Sequence, residues 1–362
     1  MGVRYDMDKY FNSSGDWRYT ANIYADQELY ENNASTMIGE DPSTRHSLNY
    51  YYNGQIGDWN IDFNADGLWN VKEESQHTRE ITNGETENNV NTFNKNNVTL
   101  YATKLIVSYP LWKGNLSFGG EYSHTSRTNL YHNQEGILDN DDSKIKEGST
   151  AAFMDYSHSF GKVDVQAGVR YENVKFDYYE QGKHIDEQSR TFNNVFPSVN
   201  INFPIGKTQI QLSYSGGITR PSYDMLRGNI YYGNRYTYQT GNPFLKPIIN
   251  QDLIFSASYK WVNFSFTYNR TKDDIIQVCE PYSEADPTIS LLKTVNTEPY
   301  NNIISAITLS PTISWWSPQL TAQVFKQWLH AEGPDGKLTL SKPRTIIVWR
   351  NSFTLPAGSY LM

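Results

Sequence analysis

Residues 163–172 alternate strictly between apolar or aromatic residues and polar residues or glycine, reading VDVQAGVRYE. A period of two is the signature of a β-strand whose two faces differ. The same pattern recurs at 59–66, 208–215 and 261–270, and no segment shows helical periodicity of comparable clarity. The sequence therefore predicts an all-β chain, and it leaves two environments open for the apolar face: a protein core or lipid.

The predicted strands are joined by connections that alternate between short and long. Short turns are predicted at 12–15, 54–57, 110–114, 161–162, 204–206, 260–261, 312–317 and 356–358. Longer polar connections are predicted at 26–42, 71–96, 128–148, 177–190, 220–249, 281–288 and 331–343. Tight turns at one end of a meander and long loops at the other are typical of an outer-membrane barrel, whereas Greek-key sandwiches would not keep this order. We therefore expect a partial antiparallel up-and-down transmembrane β-barrel of about sixteen strands, the last of them truncated.

Tryptophan placement favours lipid over a protein core. The tryptophans beside the predicted short turns are Trp17, Trp59, Trp112, Trp261, Trp315 and Trp316. Indole rings favour the membrane–water interface, where the ring is apolar and the N–H stays hydrated. Trp69 follows Trp59 on the same predicted face at a height of about 25 Å, which matches the apolar band of a membrane barrel. We expect these seven residues to form membrane girdles, because an aromatic core in a soluble β protein would not explain their clustering.

A lipid-facing apolar side also assigns the opposite side of each strand to a lumen. The residues expected to face the lumen include Asp62, Asp66, Arg170 and Glu172. The residues expected to face lipid include Val165, Val169, Phe264 and Phe266.

Composition excludes several classes of function. A formal net charge of −8 without a basic patch argues against a nucleic-acid partner. The single cysteine, Cys279, excludes an intrachain disulfide framework and a multi-cysteine metal site. The chain carries no phosphate-binding glycine motif, no serine nucleophile elbow and no paired-histidine zinc motif. We therefore expect no enzymatic activity, no cofactor and no metal centre. The N-terminus does not resemble a signal peptide, the sequence begins in what resembles the middle of a strand, and it stops just after the turn signal at 356–358. We therefore interpret the chain as a fragment of a longer protein.

The most distinctive segment is RPSYDMLRGNIYYGNRYTYQTGNPFLKP, residues 220–247. It carries a dense group of tyrosines, Tyr223, Tyr231, Tyr232, Tyr236 and Tyr238. Prolines at its two ends restrict the backbone where the segment leaves and re-enters the strands. Tyrosine offers a large contact area with a hydrogen-bonding tip, so the segment is either a ligand-binding surface or a site of packing among external loops.

Four motifs in order carry a resemblance to a known family: FPSVNINF (196–203), QIQLSYSGGITRPS (209–222), GNPFLKP (241–247) and FTYNRTKDDIIQ (266–277). The chain resembles the C-terminal barrel of TonB-dependent outer-membrane receptors, in the variety known as the outer-membrane β-barrel family of Bacteroidetes-type bacteria. The family-motif residues are Arg220, Pro221, Gly241, Asn242, Pro243, Leu245 and Pro247. Ile248 departs from the pattern, because the family usually has Glu after the LKP sequence.

The resemblance implies that residues 1–362 are part of a twenty-two-stranded barrel, without the N-terminal plug and the segment that contacts the TonB complex. It also implies a location in the bacterial outer membrane and a small-molecule, glycan or peptide substrate, imported as a nutrient. Two alternatives stay open: a non-energised channel, adhesin or structural barrel, and a secreted all-β hydrolase or carbohydrate-binding module.

Overall fold

The computed structural model of the chain describes residues 1–11, 14–284, 288–333, 336–354 and 360–361. Regular structure in these residues consists of strands and one short 3-10 helix, Asp186–Gln188. None of the described residues belongs to a helix of the length and apolar character needed to cross a membrane. The all-β class predicted from alternation is confirmed.

The strands are, in chain order, β1 (Gly2–Tyr10), β2 (Ser14–Ala25), β3 (Glu28–Glu40), β4 (Ser43–Ile56), β5 (Trp59–Thr82), β6 (Glu85–Leu111), β7 (Gly114–Asn133), β8 (Asp141–Phe160), β9 (Val163–Glu180), β10 (Lys183–His184), β11 (Arg190–Ile205), β12 (Thr208–Thr219), β13 (Ile230–Asn234), β14 (Thr237–Thr240), β15 (Ile248–Tyr259), β16 (Val262–Lys272), β17 (Ile275–Pro281), β18 (Ser290–Asn296), β19 (Tyr300–Leu309), β20 (Trp316–Gln327), β21 (Leu329–Gly333), β22 (Gly336–Leu340), β23 (Arg344–Thr354) and β24 (Tyr360–Leu361).

Eighteen of these strands form one antiparallel meander, which we call the wall. Successive long strands pair with their sequence neighbours from β4 to β9 and then through β11, β12, β15, β16, β19, β20 and β23. Among the described residues, no pairing joins the β1–β2 edge to the β23–β24 edge. The wall is therefore an open sheet, which agrees with a partial barrel.

The chain does not reverse direction between β1 and β2, so the prediction of a turn at 12–15 is wrong. The first pass of the meander is therefore longer than predicted. β1 pairs with β4, β2 pairs with β3, and both β3 and β4 pair with β5, always antiparallel. β1 and β2 therefore run in the same direction and form one interrupted pass. β3 and β4 likewise form one pass against β5. With β1–β2 and β3–β4 counted as one pass each, and the two-residue β10 left out, the meander has fifteen strands, one fewer than the sixteen expected.

The outer connections expected at 26–42, 71–96 and 128–148 are also wrong in extent. Asp26 and Gln27 form a two-residue turn with φ of 47° and 69°, and Asn83 and Gly84 form another with φ of 49° and 88°. The strands continue through the polar sequence, and β5 and β6 reach 24 and 27 residues. Above the membrane both faces of a strand contact water. The alternation of apolar and polar residues is therefore lost there, although the backbone hydrogen bonds between strands continue.

The short turns at the opposite end, which we call the inner end, are placed as predicted. Two-residue reversals fall at 57–58, 112–113, 161–162, 206–207 and 260–261, directly between paired strands. Gly57, Gly161 and Gly206 have φ near +60°, which glycine adopts without the steric cost of a side chain. The turn predicted at 356–358 lies outside the described residues, as do residues 12 and 13.

The two faces of the wall differ as the alternation predicted. A row of directly paired apolar residues crosses five strands on one face: Val165, Ile201, Leu212, Phe255 and Phe266. Val169 shares this face and is 45% exposed. We call this side the apolar face, and its exposed side chains exclude a core between two stacked sheets at this position.

The opposite, polar face carries Asp62, Asp66, Arg170 and Glu172, as expected. The two hydrophobic clusters of buried residues lie against this face, where the segment 220–247 packs on outer parts of the strands. One contains Phe176, Tyr178 and Leu245, and the other contains Val90 and Tyr232. The buried core of the described chain is therefore formed by loops folded onto the wall.

Candidate ligand-binding region on the polar face

Two outer connections combine into a small sheet on the polar face, which we call the loop sheet. The hairpin β13–β14 belongs to segment 220–247, and the hairpin β17–β18 belongs to segment 273–299. β14 pairs with β18 in parallel, from Thr237 opposite Ser290 to Thr240 opposite Lys293. Backbone hydrogen bonds thus join two connections that are distant in sequence into one body.

Arg220 fixes the start of this body to the wall. Its guanidinium forms an ion pair with Glu172 of β9, whose side chain is 4% exposed. Its Nη2 also lies 3.5 Å from the hydroxyl of Ser149, and its Nε lies 3.9 Å from a carboxylate oxygen of Glu147. Since Pro221 follows directly, the backbone is restricted at the point where this charged side chain is held.

The ion pair continues into a row of charges across the polar face. Glu172 lies 3.0 Å from Arg170, Arg170 lies 2.6 Å from Glu121, and Glu121 lies 2.6 Å from Lys104. Charges alternate in sign along this row, so that each buried or half-buried group has an opposite charge in contact. The row connects β6, β7 and β9 to the start of segment 220–247.

The end of the segment is fixed by its Gly-Asn-Pro sequence. A Cβ at Gly241 would lie 2.5 Å from the Arg227 carbonyl oxygen and 2.6 Å from that of Met225, so only glycine fits here without a shift. The Asn242 backbone N–H donates to the Met225 carbonyl at 2.6 Å, and its side-chain amide donates to the Thr294 carbonyl at 3.1 Å. These bonds join the last part of segment 220–247 to its earlier part at Met225 and to β18 at Thr294.

Arg190 at the start of β11 completes the attachment, because its guanidinium donates to the backbone carbonyls of Pro243 and Phe244. Leu245 is 2% exposed and belongs to the buried cluster with Phe176 and Tyr178. The structure therefore brings together residues of two of the four family motifs, 209–222 and 241–247: Arg220, Pro221, Leu245 and Pro247 line one small cavity. Ile248 is the first residue of β15 and pairs with Thr219.

None of the five predicted tyrosines is exposed. Tyr232 is 5% exposed and donates a hydrogen bond of 2.7 Å to Glu80 of β5. Burial, followed by this hydrogen bond, raises the pKa of Tyr232 far above its ordinary value. Tyr236 donates to Glu31, and burial together with this bond raises the pKa of Tyr236 to about 12.

The other three tyrosines are held by ring contacts. The Tyr238 ring lies 5.0 Å from that of Tyr282, and Tyr223 packs beside the cluster that contains Leu245. The Tyr231 ring lies 4.7 Å from the Tyr131 ring of β7 and carries the Arg227 guanidinium at 4.1 Å. The contacts favour the packing interpretation for Tyr223, Tyr236 and Tyr238, while Tyr231 and Tyr232 also border a cavity.

Sequence reasoning missed the wall residues that hold the tyrosines. Glu80 is fully buried, and it accepts hydrogen bonds from the Tyr232 hydroxyl and from the Arg235 backbone N–H at 2.9 Å. Arg235 also contacts Thr82 at 3.1 Å and Glu31 at 3.7 Å. These partners are about 150 to 205 positions apart in sequence, and no local pattern marks Glu80 among the other polar residues of β5.

A cavity of about 290 Å³ lies between the β13–β14 hairpin and the wall. Wall residues that line it include Gln76, Thr92, Asn94 and Tyr131, and hairpin-side residues include Arg227, Tyr231 and Gln239. Within the described chain, no group of three or more His, Cys, Asp and Glu side chains is arranged to hold a metal ion. The lining of the cavity combines amide, hydroxyl and aromatic groups with the thioether of Met37, the carboxylate of Glu74 and the guanidinium of Arg227.

Most of the predicted girdle tryptophans lie at the inner end. Trp59 begins β5, while Trp112 and Trp261 occupy two-residue turns, and Trp112 is 81% exposed. Trp315 lies in the turn before β20, Trp316 is the first residue of β20, and Trp69 lies ten residues along β5 from Trp59. A role for these residues in contacting lipid headgroups stays a prediction.

Trp17 does not share that location, which corrects its assignment to a short turn. It lies in β2 opposite Met37, and Met37 lies opposite Thr78 in the outer part of β5. The reason is that β1 and β2 run in the same direction, so Trp17 lies on the outer extension and not at an inner turn.

The meander has an exposed apolar face, a polar face covered by folded loops, and tight turns at its inner end. These features together define an outer-membrane β-barrel protein. Residues 57–361 match the Outer membrane protein beta-barrel family, and the chain belongs to that family. It is thus a protein of the bacterial outer membrane and not an enzyme, and the resemblance to this barrel family is confirmed. An origin in Bacteroidetes stays a prediction.

The chain is similar to parts of several solved structures. The copper transporter OprC aligns with a TM-score of 0.55 and 10% identity over 97% of this chain and 65% of its own. The Serratia marcescens hemophore receptor HasR, in complex with its hemophore HasA and heme, aligns with a TM-score of 0.47 and 9% identity over 90% of this chain and 66% of its own. The chain thus spans slightly less than two thirds of these proteins. No curated protein matches the sequence.

Proposed function

We propose that the chain is the barrel part of a TonB-dependent outer-membrane receptor that imports a nutrient. In this proposal residues 1–362 belong to a single barrel domain, and a plug and a segment contacting TonB lie elsewhere in the whole protein. The family membership and the fold shared with the copper transporter OprC support a transport role. The substrate would be a small molecule, a glycan or a peptide.

The observation that carries the proposal is the attachment of the loop sheet to the polar face. A passive pore needs an open lumen, whereas here segment 220–247 is held over the wall by Arg220–Glu172 at its start and by Tyr232–Glu80 at its hairpin. The attachment leaves a cavity of a size suited to a ligand. A lumen with ligand-sized space and fixed loops suits selective binding followed by energised release.

The alternative is a non-energised channel, adhesin or structural barrel. Uptake measured in cells distinguishes these functions: a strain lacking the gene should lose growth on one defined nutrient source, and the complemented strain should lose it again when TonB is deleted. Growth that returns with the gene and persists without TonB would indicate a passive channel. Growth unaffected by the gene on every nutrient source would favour an adhesin or structural barrel.

A further inference from the structure

We infer that the free edge of β17 in the loop sheet binds a short extended peptide by backbone pairing, with a positively charged group of that peptide at Glu298. The inference rests on the proposed receptor function and names a peptide as the substrate class. It uses the direction of the backbone groups of β17, the cavity beside them and the charge of the lining.

β17 is an edge strand of the loop sheet. Its only strand partner in the described chain is β18, with which it pairs in continuous antiparallel register. At one end of this ladder the Thr297 N–H donates to the Asp274 carbonyl at 2.7 Å, and at the other end the Tyr282 N–H donates to the Ile289 carbonyl at 2.7 Å. Residues that bond to the partner strand alternate with residues that do not. The even-numbered residues of β17 therefore bond to β18, and the odd-numbered residues point their backbone groups away from it.

The odd-numbered residues form a row of free backbone groups. The Ile275 N–H donates to the Asp274 side chain at 2.9 Å, and Pro281 has no N–H, which is tolerated at a position that faces away from the ladder. Gln277 and Cys279 are exposed, and their backbone groups have no hydrogen-bond partner among the described residues. Such an edge is a template for another strand, because an extended peptide carries donors and acceptors at the same spacing.

A cavity of about 500 Å³ lies beside this edge. The consecutive residues 278–281 line it, and successive side chains of a strand point to opposite faces, so the space extends along the edge and not over one face alone. β21, in the connection between β20 and β23, lines the same cavity with His330 and Ala331. At about 30 Å³ per water-sized group, the cavity holds about seventeen such groups, which suits about three or four residues of an extended chain.

The lining offers an apolar surface for a side chain of the peptide. Ile276 and Val278 lie two positions apart in β17, and Val295 of β18 lies opposite Ile276. The three side chains therefore share one face of the loop sheet, and all three line the cavity. An extended peptide that places an apolar side chain on this face buries it against them.

The charge of the lining complements a cation. The residues that line the cavity include no lysine or arginine, and their carboxylates are Glu280 and Glu298. Glu280 forms an ion pair with Lys293 of β18, whereas Glu298 is exposed and forms no ion pair within the described chain. A free amino terminus or a basic side chain of the peptide therefore complements Glu298.

The test is affinity selection by the purified full-length receptor in detergent. Two pools are applied, one of synthetic tetrapeptides of mixed sequence with free amino termini and one of neutral maltooligosaccharides, and mass spectrometry identifies the retained compounds. We expect tetrapeptides to be retained, with enrichment of apolar residues and of lysine or arginine. A copy of the best-retained peptide with N-methylated peptide bonds should bind at least about tenfold more weakly, because it cannot donate its backbone hydrogen bonds to the edge.

The edge itself is tested by hydrogen exchange and by a proline substitution. The amides of Gln277 and Cys279 should exchange more slowly when the peptide is bound. Cys279→Pro removes one outward N–H and no bond to β18, and it should weaken peptide binding about three- to tenfold relative to Cys279→Ala, which keeps the amide. Heat-modifiable gel mobility checks that both variants are folded.

Retention of maltooligosaccharides alone or of no compound, a preference for acidic peptides, or equal affinity for the peptide and its N-methylated copy would overturn the inference. Protection of both edge amides without added peptide would also overturn it, because another segment of the receptor or a partner would then cover the edge. Energised uptake without peptide binding overturns the ligand class alone, and peptide binding without TonB dependence overturns the energised function alone.

Discussion

The hydroxyl of Tyr232 donates a hydrogen bond of 2.7 Å to the carboxylate of Glu80, a fully buried residue of the wall 152 positions earlier. The same carboxylate accepts the backbone N–H of Arg235 at 2.9 Å. One wall residue thus holds β13 and the turn of the β13–β14 hairpin. This contact converts an outer connection into part of the polar face.

Tyr232→Phe should therefore loosen the hairpin while the barrel stays folded. A hydrogen bond to a charged group contributes about 1.5–3 kcal/mol, and its loss leaves the Glu80 carboxylate with one donor fewer. Hydrogen exchange of the β13–β14 amides should become faster, and heat-modifiable gel mobility should report an intact barrel. Tyr101→Phe on the exposed apolar face is the control; equal exchange rates in both variants would contradict the role of the contact.

Arg220→Ala should release the start of the segment from β9. Removing one partner of a buried ion pair costs about 3–5 kcal/mol, but a third of the Arg220 side chain is exposed, so we expect about 2 kcal/mol after solvent screening. Limited proteolysis between Pro221 and Gly228 measures the release. A double-mutant cycle with Glu172→Gln should show that the two changes are not additive, and full additivity would mean that the pair does not hold the segment.

The two faces of β9 predict opposite responses to the same substitution. Val165 lies on the apolar face in a row of paired apolar residues, while Gln166 lies on the polar face and donates to Asp155 at 3.0 Å. Val165→Arg should cost about 2–4 kcal/mol in the membrane and reduce assembly, whereas Gln166→Arg should be tolerated. The amount of heat-modifiable protein in outer membranes checks both; equal amounts would contradict the lipid-facing assignment.

Trp59 and Trp17 should report different environments. Spin labels at Trp59→Cys and Trp17→Cys, in a Cys279→Ser background, can be compared by their accessibility to oxygen and to a water-soluble nickel complex. The label at 59 should favour oxygen, because the inner turns lie at the membrane interface, and the label at 17 should favour the nickel complex on the outer extension. The reverse order would contradict the positions of the two residues relative to the bilayer.

Local sequence information predicted those parts of the fold that local physics controls. The alternation around Val165 and Arg170 assigned the two faces correctly, because lipid on one side enforces a period of two. The turns at Gly161 and Gly206 followed from glycine in the left-handed region.

The outer hairpins were missed because the strands above the membrane are polar on both faces. The Asn83-Gly84 pair was the available signal, since that dipeptide favours a two-residue hairpin turn. The candidate site was predicted only in part for a different reason. The tyrosines of segment 220–247 were identified, but Glu80 and Glu31 are joined to them by tertiary folding across 152 and 205 positions, which no local pattern encodes.

The most direct test of the central claim, that segment 220–247 folds onto the polar face, is photo-crosslinking in native outer membranes. A benzophenone side chain at position 231 replaces a tyrosine beside the cavity, 4.7 Å between ring centres from Tyr131 of β7, and the same group at position 101 on the apolar face is the control. We predict an adduct between the peptides containing residues 231 and 131, and lipid adducts at 101. A protein with lipid adducts at 231, or with no adduct to the β7 peptide, would contradict the account.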